Sequence, residues 1–209
     1  MYFSDMLEEL KTVFPDGGTM LEFGVGAGKS TYFIGSKIVK GWNCKLIGFD
    51  SFQGLPEEPD TVRKIKLPSG GWKYERGEYN FSRSLVERRL GYLGVTLPDE
   101  RFEIIGGWFK DTLTPELQAS IDNLIFVHID VDIYTSAVEV LDFITPLLQS
   151  GTLLYFGDWH QVENGELVDA TTFGEGQAFY EWAERHPDIE YSIDDKAGEY
   201  EMQCVVKIK

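Results

Sequence analysis

Apolar positions along this chain follow two rhythms, and their alternation predicts the fold. Phe3, Met6, Leu7, Leu10, Val13 and Phe14 recur at helical spacing, so the chain opens on an amphipathic helix. Residues 19–23 form a short apolar run ending at glycines, which predicts a buried strand. Residues 29–40 return to helical spacing, with Tyr32, Phe33, Ser36 and Val39 on one face. Strands are predicted over 44–50, 101–105, 124–130 and 152–156, and helices over 134–148 and 175–186. Thr114-Pro115-Glu116 starts a short helix, with the threonine as cap and the proline in the first turn. Residues 189–193 and 202–208 both alternate, and the acidic, Gly-containing segment between them reads as a turn, so a closing hairpin is expected.

Strand–helix alternation implies a parallel sheet with helices on both faces. The last two strands have no helix between them, and a parallel crossover needs about a dozen residues or more. The expected fold is therefore α/β and Rossmann-like: doubly wound, with a mostly parallel seven-stranded sheet and an antiparallel C-terminal hairpin. One domain is expected over 1–209. Residues 51–100 interrupt the rhythm with Pro56, Pro59, Pro68, Pro98 and Ser69-Gly70-Gly71, and a helix over about 82–93 is embedded in them. An insert this long in a compact domain reads as a functional lid or loop.

Composition narrows the function classes. Hydrophobic residues make up 43%, enough for a packed core. The formal charge of -16 repels phosphate backbones and anionic lipid, so neither nucleic acid nor a membrane is an expected partner. Cys44 and Cys204 lack metal-type spacing and read as reduced thiols. The N-terminus has no basic start before an apolar run, and no apolar stretch approaches membrane-spanning length. A cytoplasmic protein is the expectation.

Glu22, Gly24, Gly26 and Gly28 alternate between a strand and a helix. Ligands of open α/β sheets bind at the carboxyl ends of strands, beside the topological switch point. Glycines there let the backbone approach a ligand, and the helix N-terminus offers N–H groups to an anion. For S-adenosylmethionine that anion is the amino-acid carboxylate. Ser30 and Thr31 are placed to add hydroxyls, and Glu22 to face the amino group. Gly28-Lys29-Ser30-Thr31 also looks like the end of a P-loop, but the required first glycine falls at Phe23. A nicotinamide loop needs a glycine where Lys29 stands. A purely structural glycine turn is the remaining alternative. Asp50, with Ser51 after it, ends the second strand 22 residues after Gly28, where a carboxylate can accept both ribose hydroxyls. Trp108, after Gly106-Gly107, is a candidate wall for adenine.

Chemistry is expected at two further strand ends. In Val127-His128-Ile129-Asp130-Val131-Asp132, alternation puts His128, Asp130 and Asp132 on one side if the strand stays extended. The fifth strand ends Phe156-Gly157-Asp158-Trp159-His160, so Asp130 and Asp158 can reach one ion. A hard cation such as Mg²⁺ would relieve their repulsion, hold a substrate's hydroxyls and lower the pKa of one of them. Asp132 could then take the proton. Capping of the helix at Tyr134 is the plainer role for Asp132, and packing is the role expected of His128. His160 is a candidate base if no metal binds.

Four blocks together resemble the macrocin O-methyltransferase (TylF-like) family. They are Leu21-Glu22-Phe23-Gly24-Val25-Gly26-Ala27-Gly28-Lys29-Ser30, Gly48-Phe49-Asp50-Ser51-Phe52-Gln53-Gly54-Leu55-Pro56, Gly107-Trp108-Phe109-Lys110-Asp111-Thr112-Leu113 and His128-Ile129-Asp130-Val131-Asp132-Ile133-Tyr134-Thr135-Ser136. The resemblance runs from about residue 20 to 185. It implies a Rossmann-like methyltransferase that methylates a hydroxyl, in known members a sugar of an antibiotic, with Mg²⁺. By the same resemblance Asp130 is a metal ligand and Asp132 the general base. The family's fifth-strand motif usually carries two consecutive acids; here it reads Gly157-Asp158, so one ligand position is lost while Asp158 is kept. The chain is also shorter at its N-terminus than the antibiotic enzymes, and a different lid and substrate are expected.

The sequence thus predicts an S-adenosylmethionine-dependent O-methyltransferase acting on a small polar acceptor such as a sugar or glycosylated metabolite. Glu22, Gly24, Gly26, Gly28, Ser30, Thr31, Asp50, Ser51, Gly107 and Trp108 would hold the cofactor. Asp130, Asp132 and His160 would serve catalysis, and Asp130 and Asp158 a Mg²⁺ ion. A homodimer is the candidate assembly. The rival readings are a protein that binds the cofactor or its demethylated product without catalysis, and a P-loop-like nucleotide hydrolase.

Overall fold

The computed structural model describes residues 3–194 and 202–209. Helix α1 (Phe3–Val13) leads into β1 (Gly18–Phe23), α2 (Lys29–Val39) and β2 (Cys44–Asp50). The insert follows and contains α3 (Arg83–Gly91). Then come β3 (Phe102–Gly106), the short helices α4 (Phe109–Thr112) and α5 (Pro115–Ala119), β4 (Leu124–Ile129), α6 (Tyr134–Ile144) and β5 (Leu153–Phe156). A small hairpin, β6 (Gln161–Glu163) and β7 (Glu166–Val168), precedes α7 (Gly174–Arg185), β8 (Tyr191–Asp194) and β9 (Cys204–Ile208).

Seven strands form one sheet in the order β3-β2-β1-β4-β5-β9-β8. The first five run parallel, and β9 and β8 close the edge antiparallel. This is the expected doubly wound fold. The turn expected between β8 and β9 lies at 195–201, outside the described residues.

The central strands are buried on both faces, so they read as continuous apolar runs. Met20, Leu46, Phe102 and Phe126 face a layer made by α1, α2 and α3. Leu21, Phe23, Ile47, Val127 and Ile129 face α6 and α7. Thr114 caps α5 as expected, accepting the Leu117 N–H at 3.2 Å.

Two expectations need correction. In α2 the buried residues are Thr31, Ile34, Gly35 and Ile38, while Tyr32 is exposed. The small side of the helix turns inward because Gly35 lies against Leu93 and Phe102, where a Cβ would come within 3.1 Å of each. Strand β4 ends at Ile129, short of the acids, and Asp132 adopts φ +65°. Alternation therefore does not carry to Asp132. His128 faces α1, with its ring 5.5 Å from that of Phe3.

Candidate active site

The chain leaves β1 where the sheet order reverses, between β2 and β4. That is the switch point at which open α/β sheets bind ligands. Gly24 takes φ +85°, and a Cβ there would lie 1.8 Å from the carbonyl oxygen of Asp130. Only glycine lets the loop rest on the end of β4. Gly26 donates its N–H to Asp50 Oδ2 at 2.7 Å, and Phe52 donates to Oδ1 at 2.7 Å. Burial pushes the Asp50 carboxyl's pKa up, and these two N–H groups oppose the shift. Each Asp50 oxygen keeps a lone pair for a ligand hydroxyl. Gly107 donates to the Asp50 carbonyl at 2.9 Å, which brings the Gly107–Trp108 turn beside the same loop.

Glu22 and Thr31 sit elsewhere than a direct ligand contact requires. Both are fully buried beneath the loop. Glu22 accepts hydrogen bonds from Ser30 and from Thr31 Oγ1, the latter at 2.7 Å, and lies 3.4 Å from His128 Nδ1. The Thr31 hydroxyl is thus spent on Glu22. These residues brace the loop from behind, while Ser30 also reaches the cavity wall. The His128 ring is buried; burial lowers its pKa, but Glu22 together with Asp130 and Asp158 makes the net shift upward.

Beyond β4 and β5, Asp130, Asp132 and Asp158 converge. The three carboxyls lie close enough to shift one another's pKa values. Burial first, and mutual repulsion next for Asp132, pushes Asp130 up to about 6 and Asp132 up to about 10. Glu175, which the sequence pattern did not single out, holds the cluster in place. It is completely buried and accepts the backbone N–H groups of Val131 (2.8 Å), Asp132 (3.3 Å) and Asp158 (2.9 Å). One carboxylate therefore ties the ends of β4 and β5 to the start of α7. Its only sequence signal is the unusual Gly174-Glu175-Gly176 opening of that helix.

The insert is stitched to this frame. Tyr74 Oη donates to Asp158 Oδ1 at 2.9 Å, and Gln161 Nε2 donates to the same oxygen at 3.0 Å. Glu58 accepts the Thr135 N–H at 3.2 Å and so caps α6. The capping role expected of Asp132 belongs to Glu58 instead. Arg89 of α3 donates to the Ala27 carbonyl at 2.7 Å and clamps the glycine loop.

One cavity of about 800 Å³ connects these parts. It runs from Gly24–Ala27, Lys29 and Ser30 past Asp50, Ser51, Gly107 and Trp108 to Asp130, Asp132 and Asp158. The insert supplies its outer wall through Leu55, Pro56, Arg76, Tyr79 and Phe81. His160 is not on that wall. It is buried, with its backbone N–H bonded to the Met202 carbonyl, so it cannot reach a substrate as a base.

The donor chemistry of the three aspartates suits a hard cation, but their placement does not. A Cβ at Gly157 would lie 2.2 Å from Asp130 Oδ1, so Asp130 fills the space of a side chain at 157. Tyr74 and Gln161 already occupy Asp158 Oδ1. Among the described residues, no three His, Cys, Asp or Glu side chains are arranged to hold a metal ion.

The switch-point loop, the strand-end carboxylate and the antiparallel tail define a Rossmann-like methyltransferase fold. The chain belongs to the macrocin O-methyltransferase (TylF) family, whose model matches residues 4–173. It is 27% identical over 156 residues to an 8-demethyl-8-(2,3-dimethoxy-alpha-L-rhamnosyl)-tetracenomycin-C 4'-O-methyltransferase of Streptomyces olivaceus, covering 72% of this chain and 57% of that one. It is 28% identical over 192 residues to a mycinamicin III 3''-O-methyltransferase of Micromonospora griseorubida, covering 90% and 67%. The chain thus spans about three-fifths to two-thirds of the length of these relatives. The solved O-methyltransferase NovP superposes over 97% of this chain and 78% of its own, with a TM-score of 0.68 at 21% identity. No helix among the described residues is long and apolar enough to cross a membrane.

Proposed function

We propose that this chain transfers a methyl group from S-adenosylmethionine to a hydroxyl of a small polar acceptor, with a sugar of a glycosylated metabolite as the substrate class. The observation that carries the reading is the single cavity joining the glycine loop and Asp50 to the Asp130–Asp132–Asp158 cluster. The acceptor class rests on the two relatives, both named for methylation of glycosylated natural products.

The loop N–H groups at the start of α2 face the cofactor's carboxylate, and Asp50 receives the ribose hydroxyls. Trp108 walls the adenine. A donor held by these residues would present its methyl group to an acceptor beside Asp130, Asp132 and Asp158. The acceptor oxygen bonds to the methyl carbon as the carbon–sulfur bond breaks, and that bond's electron pair leaves the sulfur as a neutral thioether. The sulfonium charge of the methyl donor would favour ionisation of Asp132, which lines the cavity and, once ionised, takes the hydroxyl proton. Neutral reactant charge at the oxygen and loss of the sulfonium charge both favour a cavity with little water. Alignment of oxygen, carbon and sulfur supplies most of the rate enhancement.

Calorimetric titration with S-adenosylmethionine and S-adenosylhomocysteine tests the cofactor half, with binding expected for both. Mass spectrometry of a panel of deoxysugar glycosides then tests transfer. Absence of cofactor binding at millimolar concentration sinks the reading.

A further inference from the structure

We propose that Gly157 frees this chain's methyl transfer from any divalent cation, because it lets Asp130 close directly on Asp158 while protein donors take an ion's place. The inference rests on the methyl-transfer reading above and adds how its charge is managed.

The geometry begins at Gly157, the first residue after β5. Its Cα hydrogen faces Asp130 so closely that a Cβ would meet Asp130 Oδ1 at 2.2 Å and Cγ at 2.8 Å. Real Cβ atoms do not approach that near. Any side chain at 157 therefore drives Asp130 out of its present position. An acidic residue there would do so and add a second carboxylate facing outward, which is the arrangement a hard cation needs. With glycine the opposite holds. Asp130 folds back against the strand end at Gly157, next to Asp158 in the chain.

Independent contacts complete the closure. Asp158 Oδ1 accepts Tyr74 Oη at 2.9 Å and Gln161 Nε2 at 3.0 Å. Both donors are held rigidly: Tyr74 is 6% exposed and Gln161 1%. Tyr74 stacks on Phe173, and the ammonium of Lys73 lies 4.5 Å from its ring centre while bonding to Gln161. Neutral donors and one nearby ammonium thus serve the cluster where an ion would otherwise be needed. With Oδ1 of Asp158 held by two donors, a cation would meet that carboxylate through Oδ2 alone, and would gain a second ligand only after Asp130 had swung away from Gly157.

The reaction balances without a metal. The acceptor O–H loses its proton to Asp132, oxygen bonds the methyl carbon, and sulfur keeps the electron pair of the broken bond. No Lewis acid lowers the hydroxyl's pKa, so proton removal accompanies attack instead of preceding it.

Mn²⁺ titration followed by electron paramagnetic resonance, with and without S-adenosylhomocysteine, tests this on the whole chain. The expected result is no saturable Mn²⁺ binding by the natural sequence at millimolar metal, and a gain of affinity of about tenfold or more in Gly157→Asp, the order by which changes around a metal site alter its affinity. Methyl transfer, once an acceptor is found, should persist in EDTA. A saturable site in the natural sequence that Asp130→Asn removes would overturn the proposal, as would activity lost to EDTA and restored by Mg²⁺. A folded Gly157→Asp with no gain would overturn the role of Gly157. If Gly157→Asp does not fold, the natural-sequence titration decides alone. Failure to bind S-adenosylhomocysteine strikes the methyltransferase reading and leaves the Mn²⁺ result to judge this one.

Discussion

The two ends of the cavity are built by different means. At the glycine-loop end, the ligand-facing contacts run mainly through backbone groups: Gly26 and Phe52 on Asp50, Gly107 on the Asp50 carbonyl, Gly24 on Asp130, with Arg89 on the Ala27 carbonyl behind them. At the acid end, side chains far apart in the chain do the holding. Tyr74, Gln161 and Glu175 meet at Asp158, from the insert, the small hairpin and α7. The first end relies chiefly on backbone groups, whereas the second relies on side chains gathered from three elements. Affinity for the cofactor should therefore survive changes that abolish chemistry.

The comparison breaks most sharply at Gly24, where the two ends touch. Gly24→Ala puts a methyl group onto the Asp130 carbonyl at a left-handed φ, with no flexible atom to yield. Cofactor binding by calorimetry should fall below detection, and thermal unfolding should show a loss of about 3 kcal/mol or more. Asp132→Asn separates the two ends. Methyl transfer should drop by about 10²–10⁴-fold, the usual share of a general base, while the product's Kd stays unchanged. An equal loss in both would deny Asp132 its role as base.

Asp50→Asn acts on the other end. The amide replaces one acceptor oxygen with a donor facing a backbone N–H. Cofactor Kd should rise about tenfold or more, as expected for a hydrogen bond to a charged group, with turnover at saturation little changed. Glu175→Gln leaves an amide N–H opposed to a backbone donor and should cost about 1–3 kcal/mol in urea unfolding, with the acid end suffering first.

The smallest effect is on pH. Burial raises the Asp130 carboxyl from the ordinary 3.8 to about 6. The folded state then binds a proton that the unfolded state has released. The associated stability is present below the unfolded value and is lost as pH rises through about 6. The unfolding midpoint of the ligand-free protein should fall as pH rises from 4 to about 6, and Asp130→Asn should reduce that slope, with Asp132 carrying part of the remainder. A midpoint that rises across this range would reverse the assignment.

Most of the sheet is legible in the sequence because central strands carry unbroken apolar runs. Strand β2 begins at Cys44 and ends at Asp50, as the pattern predicts. The buried face of α2 is not legible, since Tyr32 and Phe33 compete with Ile34 and Ile38, and only the neighbouring Leu93 and Phe102 decide which side turns in. The β6–β7 hairpin escapes because its strands are three residues each, although Asn164-Gly165 at φ +53° and +83° is the turn that such hairpins use. At the site, Asp50 and Trp108 stand on the cavity wall that the sequence suggests. Glu22 and Thr31 do not: Glu22 sits in a strand covered on both faces, and Thr31 on the buried face of α2. Tyr74 and Glu58 carry no local signal; their meaning comes from partners that lie 84 and 77 residues away.

The seating of Gly24 on the Asp130 carbonyl also has a thermodynamic meaning. In the proposed reaction, methyl donor and acceptor would lean on opposite sides of this one peptide wall. Any displacement of that wall by the first ligand changes the free energy of binding the second, and by reciprocity the second changes the first equally. The two affinities are thereby linked through a contact that neither ligand makes.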